Sequence, residues 1–259
     1  MNDVALPGGR LTAARIGTGR DLVVLHSLLT DRHAFDAVLP DLAKNFRVTL
    51  LNLPGFHGSA PVAPTMDAYV ACVRDAFNEL AISSDAVLMG NGFGGTVALG
   101  FAIAHQDRVA KLVLSDVAAG FPDEGKKAFR IMAEKVASGG LGTIVDIAAK
   151  RVFHADYLAK NPKAVDERRV VLLQIDPAAF GAACSVLVAA DLTPRLGELT
   201  VPTLVVCGEL DEATPPALNK LIAAKARSAR YVELPACGHC PPLEQPQVFL
   251  ATIKEFVGL

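Results

Sequence analysis

A glycine-dense turn, residues 90–95, is the segment of this sequence with the clearest chemical potential. It follows the apolar run 86–89 and precedes a second apolar stretch, so the order strand, tight turn, helix is predicted. Three of its glycines fit the G-x-G-x-x-G pattern of dinucleotide-binding proteins, and Asp116 follows the next apolar run, near the place expected for a ribose-binding acid. The glycines of that pattern are Gly90, Gly92 and Gly95.

The same turn also fits a G-x-S-x-G nucleophile elbow in which Gly92 stands at the serine position. An elbow residue has a positive φ, which costs a serine on the order of 1–3 kcal/mol and which glycine adopts freely. Because Gly92 has no side chain, it cannot form an acyl-enzyme. Glycine at this position therefore preserves the fold and removes the usual covalent route.

Short apolar runs recur along the chain at the spacing of βαβ units. Most are continuous and rich in β-branched residues, which is typical of parallel strands covered on both faces. We predict strands at 22–25, 48–51, 86–89, 112–114, 204–206 and 231–234. A leading antiparallel hairpin is predicted over residues 4–19, with Gly8-Gly9 at its turn. The predicted fold class is therefore α/β, with a mostly parallel, doubly wound sheet of about eight strands.

Helices are predicted between the strands. Thr65 is a suitable N-cap for a helix that begins at Met66, and Pro246 lies near the start of a closing helix. Strand signals disappear between residues 121 and 199, where amphipathic helices are predicted at 126–137, 141–153, 162–174 and 177–190. We expect residues 1–120 and 200–259 to form the core domain and 121–199 to form a helical cap, or lid, inserted in it.

Several loops have the sequence pattern of a known family. Residues 26–31 (His-Ser-Leu-Leu-Thr-Asp), 52–59, 208–215 and 238–239 lie after predicted strands. With the glycine turn, they make the chain resemble the α/β-hydrolase superfamily over nearly its whole length, and within it the 3-oxoadipate enol-lactonase and small-esterase branch. The resemblance implies the α/β-hydrolase fold and cofactor-independent hydrolysis of an ester, lactone or related carbonyl substrate.

The resemblance also implies roles for individual residues. His239 would be the general base and Asp211 the acid that orients it, although Glu209 and Glu212 lie in the same loop. Asp116 follows a strand where some relatives carry their acid, so it is a reserve acid. Backbone N–H groups of Leu28 and Phe93 would form the oxyanion hole, and Gly92 stands where the nucleophile would be.

Three explanations for Gly92 stay open. In the first, the chain is a serine hydrolase inactivated at this position. In the second, a His239–Asp211 dyad activates water or an acidic proton of the substrate, an arrangement that resembles the cofactor-free dioxygenases of the superfamily. In the third, the protein binds a small molecule without catalysis. A dinucleotide-binding oxidoreductase is a further alternative. Five cations in or near the predicted cap are candidates for holding a substrate carboxylate, and the sequence does not distinguish among Arg130, Lys150, Arg151, Arg168 and Arg169.

Composition excludes several classes of partner. Twenty-five Lys and Arg against 27 Asp and Glu give a net charge of -2, and without a basic block neither nucleic acid nor an anionic membrane is an expected partner. A small-molecule substrate is expected, and no metal, since the histidines lack ligand spacing. Five scattered cysteines and an N-terminus without a signal-peptide pattern predict a cytoplasmic protein.

Overall fold

The computed structural model describes residues 2–6 and 11–259. Eight strands form one sheet in the order β1-β2-β4-β3-β5-β6-β7-β8. They are β1 Asn2–Ala5, β2 Thr12–Ile16, β3 Arg20–Leu25, β4 Phe46–Asn52, β5 Val87–Asn91, β6 Lys111–Ser115, β7 Thr203–Gly208 and β8 Ala229–Leu234. The strands β3 to β8 pair in parallel, whereas β2 is antiparallel to both β1 and β4. The predicted turn at Gly8-Gly9 lies outside the described residues.

All six apolar runs predicted as strands are strands, so the predicted mostly parallel sheet is confirmed. Every residue of β5 and β7 is buried, because helices cover both faces of a parallel sheet. The strands extend beyond the predicted runs by one or two residues at one or both ends, and β5 begins one residue later than predicted, at Val87. Polar residues such as Arg20 and Asn52 occupy these extensions, where pairing with a neighbouring strand outweighs their low hydrophobicity.

The part of the chain that the structure describes contains eleven α-helices. They are α1 Leu39–Leu42, α2 Met66–Glu79, α3 Gly92–Ala104, α4 Asp123–Gly139, α5 Val145–Val152, α6 Ala155–Lys160, α7 Ala164–Leu172, α8 Pro177–Ala189, α9 Pro216–Lys225, α10 Pro241–Glu244 and α11 Pro246–Val257. The predicted N-cap of α2 is confirmed, since Thr65 Oγ1 accepts a hydrogen bond from the N–H of Ala68 at 3.3 Å. Short 3₁₀ helices occur at Arg32–Phe35, Gln106–Arg108, Leu141–Ile144 and Thr193–Glu198.

Helices α4 to α8 fill the chain between β6 and β7. The segment 141–153, predicted as one helix, begins as a 3₁₀ helix and becomes α-helical only at Val145, because Gly142 and Thr143 are poor α-helix formers. Helix α6 was not predicted; it is six residues long and is capped by His154, whose Nδ1 accepts from the N–H of Asp156. A single bridge between Gly120 and Asp191 joins the two ends of the helical segment.

No single helix in the described ranges has the length and apolar character needed to cross a membrane, although α7 and α8, bent by 102° relative to each other, pass that test when taken together. The uncharged stretch from Ala86 to Ala104 is β5 followed by α3, as predicted. Both elements are buried: α3 has one exposed residue, Ala104, at its end. Protein packing therefore accounts for its apolar composition.

A buried carboxylate connects strands at the amino-terminal edge of the sheet. Asp21 on β3 accepts two hydrogen bonds from Arg47 on β4, both at 2.8 Å, and one from the N–H of Ser83 at 3.0 Å. Burial alone would raise the pKa of Asp21, but the hydrogen bonds from Arg47 and Ser83 and the charge of Arg47 outweigh it and hold the pKa below its usual range.

Asp21→Asn is expected to destabilise the protein by about 2 kcal/mol at pH 7, because it weakens charge-assisted hydrogen bonds to a buried group. Since the folded-state pKa is lowered, the stabilisation is fully present above the unfolded pKa and is lost as the pH falls from there through the folded pKa. Urea unfolding at pH 7 and pH 3 measures both effects. The control Asp41→Asn removes an exposed pair with Lys44 and is expected to change stability by less than about 0.5 kcal/mol. A cost for Asp21→Asn that is equal at both pH values would contradict this account.

Candidate active site

Three loops and the junction of β5 with α3 meet at the carboxyl edge of the sheet. The loops follow β3, β7 and β8 and contain residues 26–31, 209–215 and 235–240, and β5 runs directly into α3 between Asn91 and Gly92. Because parallel strands present their carboxyl ends at one edge, residues distant in sequence lie close together there. The side chains that meet are Ser27, Asp211, Thr214 and His239, around the backbone of Gly92.

His239 is oriented by two groups of the loop after β7. Its Nδ1 lies 3.0 Å from Asp211 Oδ2 and 3.2 Å from Thr214 Oγ1. The hydroxyl of Thr214 donates its single proton to Asp211 Oδ2 at 2.5 Å, so its oxygen can only accept from the imidazole. Both neighbours of Nδ1 are therefore acceptors, which assigns the proton of a neutral His239 to Nδ1 and leaves Nε2 as an acceptor.

The pKa values of two neighbouring acidic residues, Asp211 and Asp116, are shifted in opposite directions. Burial would raise the pKa of Asp211, but His239 and the hydrogen bonds from Thr214 outweigh it and hold the pKa below its usual range. Burial, reinforced by the charge of Asp211, raises the pKa of Asp116 well above its usual range. Asp116 accepts from the N–H of Gly208 and from the hydroxyl of Ser115. Within the described residues Asp211 is the carboxylate bonded to His239, and Asp116 is not.

Gly92 occupies the first position of α3, directly after β5. Its φ is +53°, in the left-handed region that glycine adopts without strain. A Cβ added here would lie 2.8 Å from His239 Nε2 and would overlap Ser27 Oγ. A Cβ on Gly90 would lie 2.6 Å from backbone atoms of Gly94 and Gly95, so close packing of α3 on β5 gives this glycine pattern a steric reason.

Ser27 is the functional candidate that the sequence analysis did not assign. Its Oγ lies 3.3 Å from His239 Nε2, and the residue is 2% exposed. The segment 26–31 was recognised, but its expected contribution was a backbone N–H. The sequence did contain a signal for this role. Ser27 directly precedes Leu28, the expected oxyanion donor, so its hydroxyl could be expected to lie near the same site.

The loop after β3 is rigid because its polar groups are bonded. His26 Nδ1 donates to the carbonyl of Ser27 at 2.9 Å, and His26 Nε2 accepts from the N–H of Leu53 at 3.1 Å. Burial lowers the pKa of His26 to about 4, so this imidazole is neutral at pH 7 and braces the loop. The N–H of Ser27 donates to Thr30 Oγ1 at 3.1 Å.

The two predicted oxyanion donors border the same cavity as His239 and Gly92. No acceptor for the N–H of Leu28 lies among the described residues. The N–H of Phe93 belongs to the first turn of α3, where backbone N–H groups have no acceptor within the helix. Both amides can therefore donate to a ligand oxygen.

Helices α4, α5 and α8 cover this cavity, which is narrow and has an internal volume of about 20 Å³. Its wall from this side consists of apolar side chains and one cation, namely Phe121, Phe129, Leu187 and Arg151. The guanidinium of Arg151 lies 5.7 Å from the ring centre of Phe129, and in the described part of the chain it has no ion-pair partner. Burial lowers the pKa of Arg151, since an unpaired cation is costly in this environment.

The loop that carries His239 is bonded directly to α5 and β5. The N–H of His239 donates to the carbonyl of Val152 at 3.1 Å, and its carbonyl accepts from Asn91 Nδ2 at 3.0 Å. The N–H of Gly238 donates to Glu244 at 3.1 Å. These bonds fix the backbone on both sides of the imidazole.

One cluster in the described ranges has the composition of a metal site: Asp116, Cys207 and Asp211 have ligand atoms within 4.8 Å of one another. Burial raises the pKa of the Cys207 thiol, and a neutral thiol is a weak metal ligand. The carboxylate oxygens of Asp116 and Asp211 already accept hydrogen bonds. Their hydrogen bonds therefore account for the positions of Asp116 and Asp211.

Known proteins resemble this chain in both sequence and structure. The model of the alpha/beta hydrolase family matches residues 22–252. The pimeloyl-(acyl-carrier protein) methyl ester esterase of Aeromonas hydrophila subsp. hydrophila is 27% identical over 254 residues, covering 96% of this chain and 99% of that protein.

Among solved structures, the enol-lactonase from Burkholderia xenovorans superposes with a TM-score of 0.92 at 28% identity, over the full length of both chains. A thermophilic esterase from Thermogutta terrifontis, with malate bound, has a TM-score of 0.89 at 30% identity and covers 99% of this chain and 98% of its own. The eight-stranded fold predicted from the sequence is thus shared by these proteins.

Gly92→Ala is expected to cost about 2–3 kcal/mol of folding free energy: about 1–2 from the positive φ and about 1 from overlap with Ser27. In the background of Ser27→Gly the second contribution disappears, so the two substitutions couple by about 1 kcal/mol in a double-mutant cycle measured by urea unfolding. Gly181→Ala, at a position with nothing within 4 Å of an added Cβ, is the control and is expected to show no coupling. Additive effects of Gly92→Ala and Ser27→Gly would contradict the described contact.

Proposed function

The chain belongs to the alpha/beta hydrolase family, and we propose that it hydrolyses small carboxylic esters or lactones without a cofactor. Its relatives bear the names methyl ester esterase, enol-lactonase and esterase, which have in common the cleavage of an acyl–oxygen bond. In this proposal His239 is the general base, Asp211 orients it and stabilises its charged form, and Thr214 supports both.

The observation that carries the proposal is the orientation of one imidazole. His239 Nδ1 is bonded to Asp211 at 3.0 Å, while Nε2 faces the cavity beside Gly92. A base held in this tautomer accepts a proton at Nε2 and becomes an imidazolium next to a carboxylate of lowered pKa. This is the arrangement required for removing a proton from a hydroxyl group above Gly92.

We propose that position 92 corresponds to the nucleophile position of the family and that glycine there does not abolish hydrolysis. The positive φ of Gly92 supports the correspondence, because an elbow nucleophile has the same backbone conformation. The complete bonding of His239 to Asp211 and Thr214 supports activity. Of the two explanations that concern catalysis, a functioning His239–Asp211 dyad is therefore preferred over an inactivated serine hydrolase.

Substrate carbonyl binding is assigned to the N–H groups of Leu28 and Phe93. The carbonyl oxygen becomes an oxyanion when the carbonyl carbon is attacked, and two pre-oriented donors stabilise it more than water does. Leu28 and Phe93 both border the cavity, Leu28 in the loop after β3 and Phe93 in the first turn of α3. The helical segment 121–199 acts in this proposal as a lid that excludes water from the cavity.

The cavity also favours a substrate that carries a carboxylate. Of the five cations considered from the sequence, Arg151 borders the cavity that contains both Gly92 and His239, whereas Lys150 borders a neighbouring pocket beside His239. Its lack of an ion-pair partner leaves its donors available to an anionic substrate, and a guanidinium binds a carboxylate through two parallel hydrogen bonds. The Thermogutta terrifontis esterase, whose structure holds malate, shows that a related fold accommodates a small dicarboxylate.

His239→Ala is expected to lower kcat for p-nitrophenyl acetate by a factor of about 10³ or more, and Asp211→Asn by about 10²–10³, because proton transfer loses its base or the base loses its orientation. The matched control is His33→Ala, which removes an exposed imidazole paired with Asp36 and is expected to leave kcat unchanged.

Two results would contradict the proposed function. One is equal turnover by the wild type and His239→Ala. The other is a wild type that hydrolyses no member of a panel of small esters and lactones but binds one of them and releases it unchanged, which would support the non-catalytic alternative.

Arg151→Gln is expected to raise KM for monomethyl succinate about 10-fold to 100-fold, the effect of losing a charge-assisted hydrogen bond. The KM for p-nitrophenyl acetate, which has no carboxylate, is expected to change less than twofold. Arg130→Gln removes an exposed cation on α4 and serves as the control with both substrates. An equal rise in KM for the charged and the neutral ester would contradict a carboxylate-binding role for Arg151.

A further inference from the structure

We propose that Ser27 is the nucleophile of this enzyme and that Ser27, His239 and Asp211 form its catalytic triad. The inference rests on the proposed ester hydrolysis and identifies the hydroxyl group that His239 activates. It moves the nucleophile from the turn after β5 to the loop after β3.

The first support is the direction of the hydrogen bonds. His239 Nδ1 donates to Asp211, so Nε2 has a lone pair available, and the only hydroxyl near it in the described residues is Ser27 Oγ at 3.3 Å. The hydroxyl must therefore be the donor in this contact. A serine O–H that donates to an Asp-bound imidazole has the relationship found in a catalytic triad.

The second support is steric. A Cβ on Gly92 would overlap Ser27 Oγ and approach Ser27 Cβ to 2.9 Å. The side chain of Ser27 thus fills the volume that a side chain at position 92 would need. Because Gly92 leaves this volume free, the hydroxyl of the neighbouring loop reaches His239 Nε2.

The third support is the placement of the oxyanion donors. In a nucleophile elbow one donor is the N–H of the residue after the nucleophile, and the other comes from a second loop. With Ser27 as nucleophile, the N–H of Leu28 follows it directly and the N–H of Phe93 comes from the second loop. Both residues border the cavity. The same two amides would therefore stabilise the oxyanion, with Leu28 now the residue after the nucleophile and Phe93 the donor from the second segment.

Rigidity of the loop is the fourth support. The carbonyl of Ser27 accepts from His26 Nδ1, and its N–H donates to Thr30 Oγ1. Its backbone has no positive φ. The hydroxyl is therefore held near His239 by a braced, unstrained backbone, which reduces the entropy lost on reaching the attacking geometry.

The reaction balances with water as the only co-reactant. Ser27 Oγ forms a bond to the carbonyl carbon while its proton passes to His239 Nε2, and the carbon–oxygen bond to the leaving alcohol breaks as His239 returns that proton to it. Water then attacks the acyl-enzyme, giving its proton to His239. The bond to Ser27 Oγ breaks, and Ser27 regains a proton from His239.

A fluorophosphonate ester tests the inference directly, because it forms a stable covalent bond with an activated serine. After trypsin digestion, Ser27 lies in the peptide 21–32 and Gly92 lies in the peptide 75–108, as the positions of Arg20, Arg32, Arg74 and Arg108 require. We expect one phosphonyl group per chain on peptide 21–32, with fragmentation placing it on Ser27 and not on Thr30. His239→Ala is expected to slow labelling by a factor of about 10² or more.

Ser27→Ala is expected to abolish the label and to lower ester turnover by a factor of about 10³. Ser185→Ala, which removes a hydroxyl from the outer part of α8, is the control and keeps both. Circular dichroism and urea unfolding of Ser27→Ala separate a catalytic loss from a loss of fold. Ester turnover by Ser27→Ala at the wild-type rate would overturn the inference.

The outcomes distinguish this inference from the proposed function. Wild-type turnover that depends on His239, with no label on Ser27, would overturn the nucleophile assignment and leave ester hydrolysis by the His239–Asp211 dyad. Neither turnover nor labelling in the wild type would overturn both.

A second variant exchanges the residues at positions 27 and 92. In the double variant Ser27→Gly and Gly92→Ser the hydroxyl returns to the turn after β5, and the overlap with Ser27 is removed. We expect higher turnover than in Ser27→Gly alone, with the label now on peptide 75–108. Equal turnover by the wild type and Ser27→Gly would contradict a nucleophilic Ser27.

Discussion

The site depends on one interaction, the hydrogen bond that His239 Nδ1 donates to Asp211 Oδ2. Burial of Asp211 is costly, and the carboxylate stays charged because the imidazole and the N–H and O–H groups of Thr214 compensate it. In return, the carboxylate assigns the proton to Nδ1 and leaves Nε2 as an acceptor. Without this bond the orientation of the imidazole relative to Ser27 would be undetermined, and neither a water molecule nor a hydroxyl group would be activated reliably.

The sheet makes this interaction available because it brings the carboxyl ends of four parallel strands to one edge. The start of α3, directly after β5, contributes the space at Gly92, the loop after β3 contributes the hydroxyl of Ser27, and the loops after β7 and β8 contribute Asp211 and His239. In the proposed triad, Ser27 fills the volume that a side chain at position 92 would need, because the two residues are neighbours.

The sequence predicted the elements whose signal is local. The buried strands and α2 follow from apolar periodicity and from the Thr65 cap, and family resemblance brought His239 and Asp211 together, which the structure places 3.0 Å apart. The sequence did not predict the 3₁₀ turn that precedes α5. It also did not predict α6, which is too short to show a clear periodic pattern. The contributions of Ser27 and Thr214 also escaped, because each depends on a distance between loops. Arg151 was one of five candidate cations, and the sequence could not single it out because the choice depends on which cation borders the cavity without an ion-pair partner.

The protonation of His239 tests the central claim most directly. Long-range ¹H–¹⁵N NMR of the imidazole in its neutral form distinguishes a protonated from an unprotonated ring nitrogen. We expect a proton on Nδ1, an unprotonated Nε2, and a shift of the Nε2 resonance when the hydroxyl of Ser27 is removed. A neutral imidazole with its proton on Nε2, or an Nε2 resonance that does not respond to Ser27→Ala, would contradict that claim.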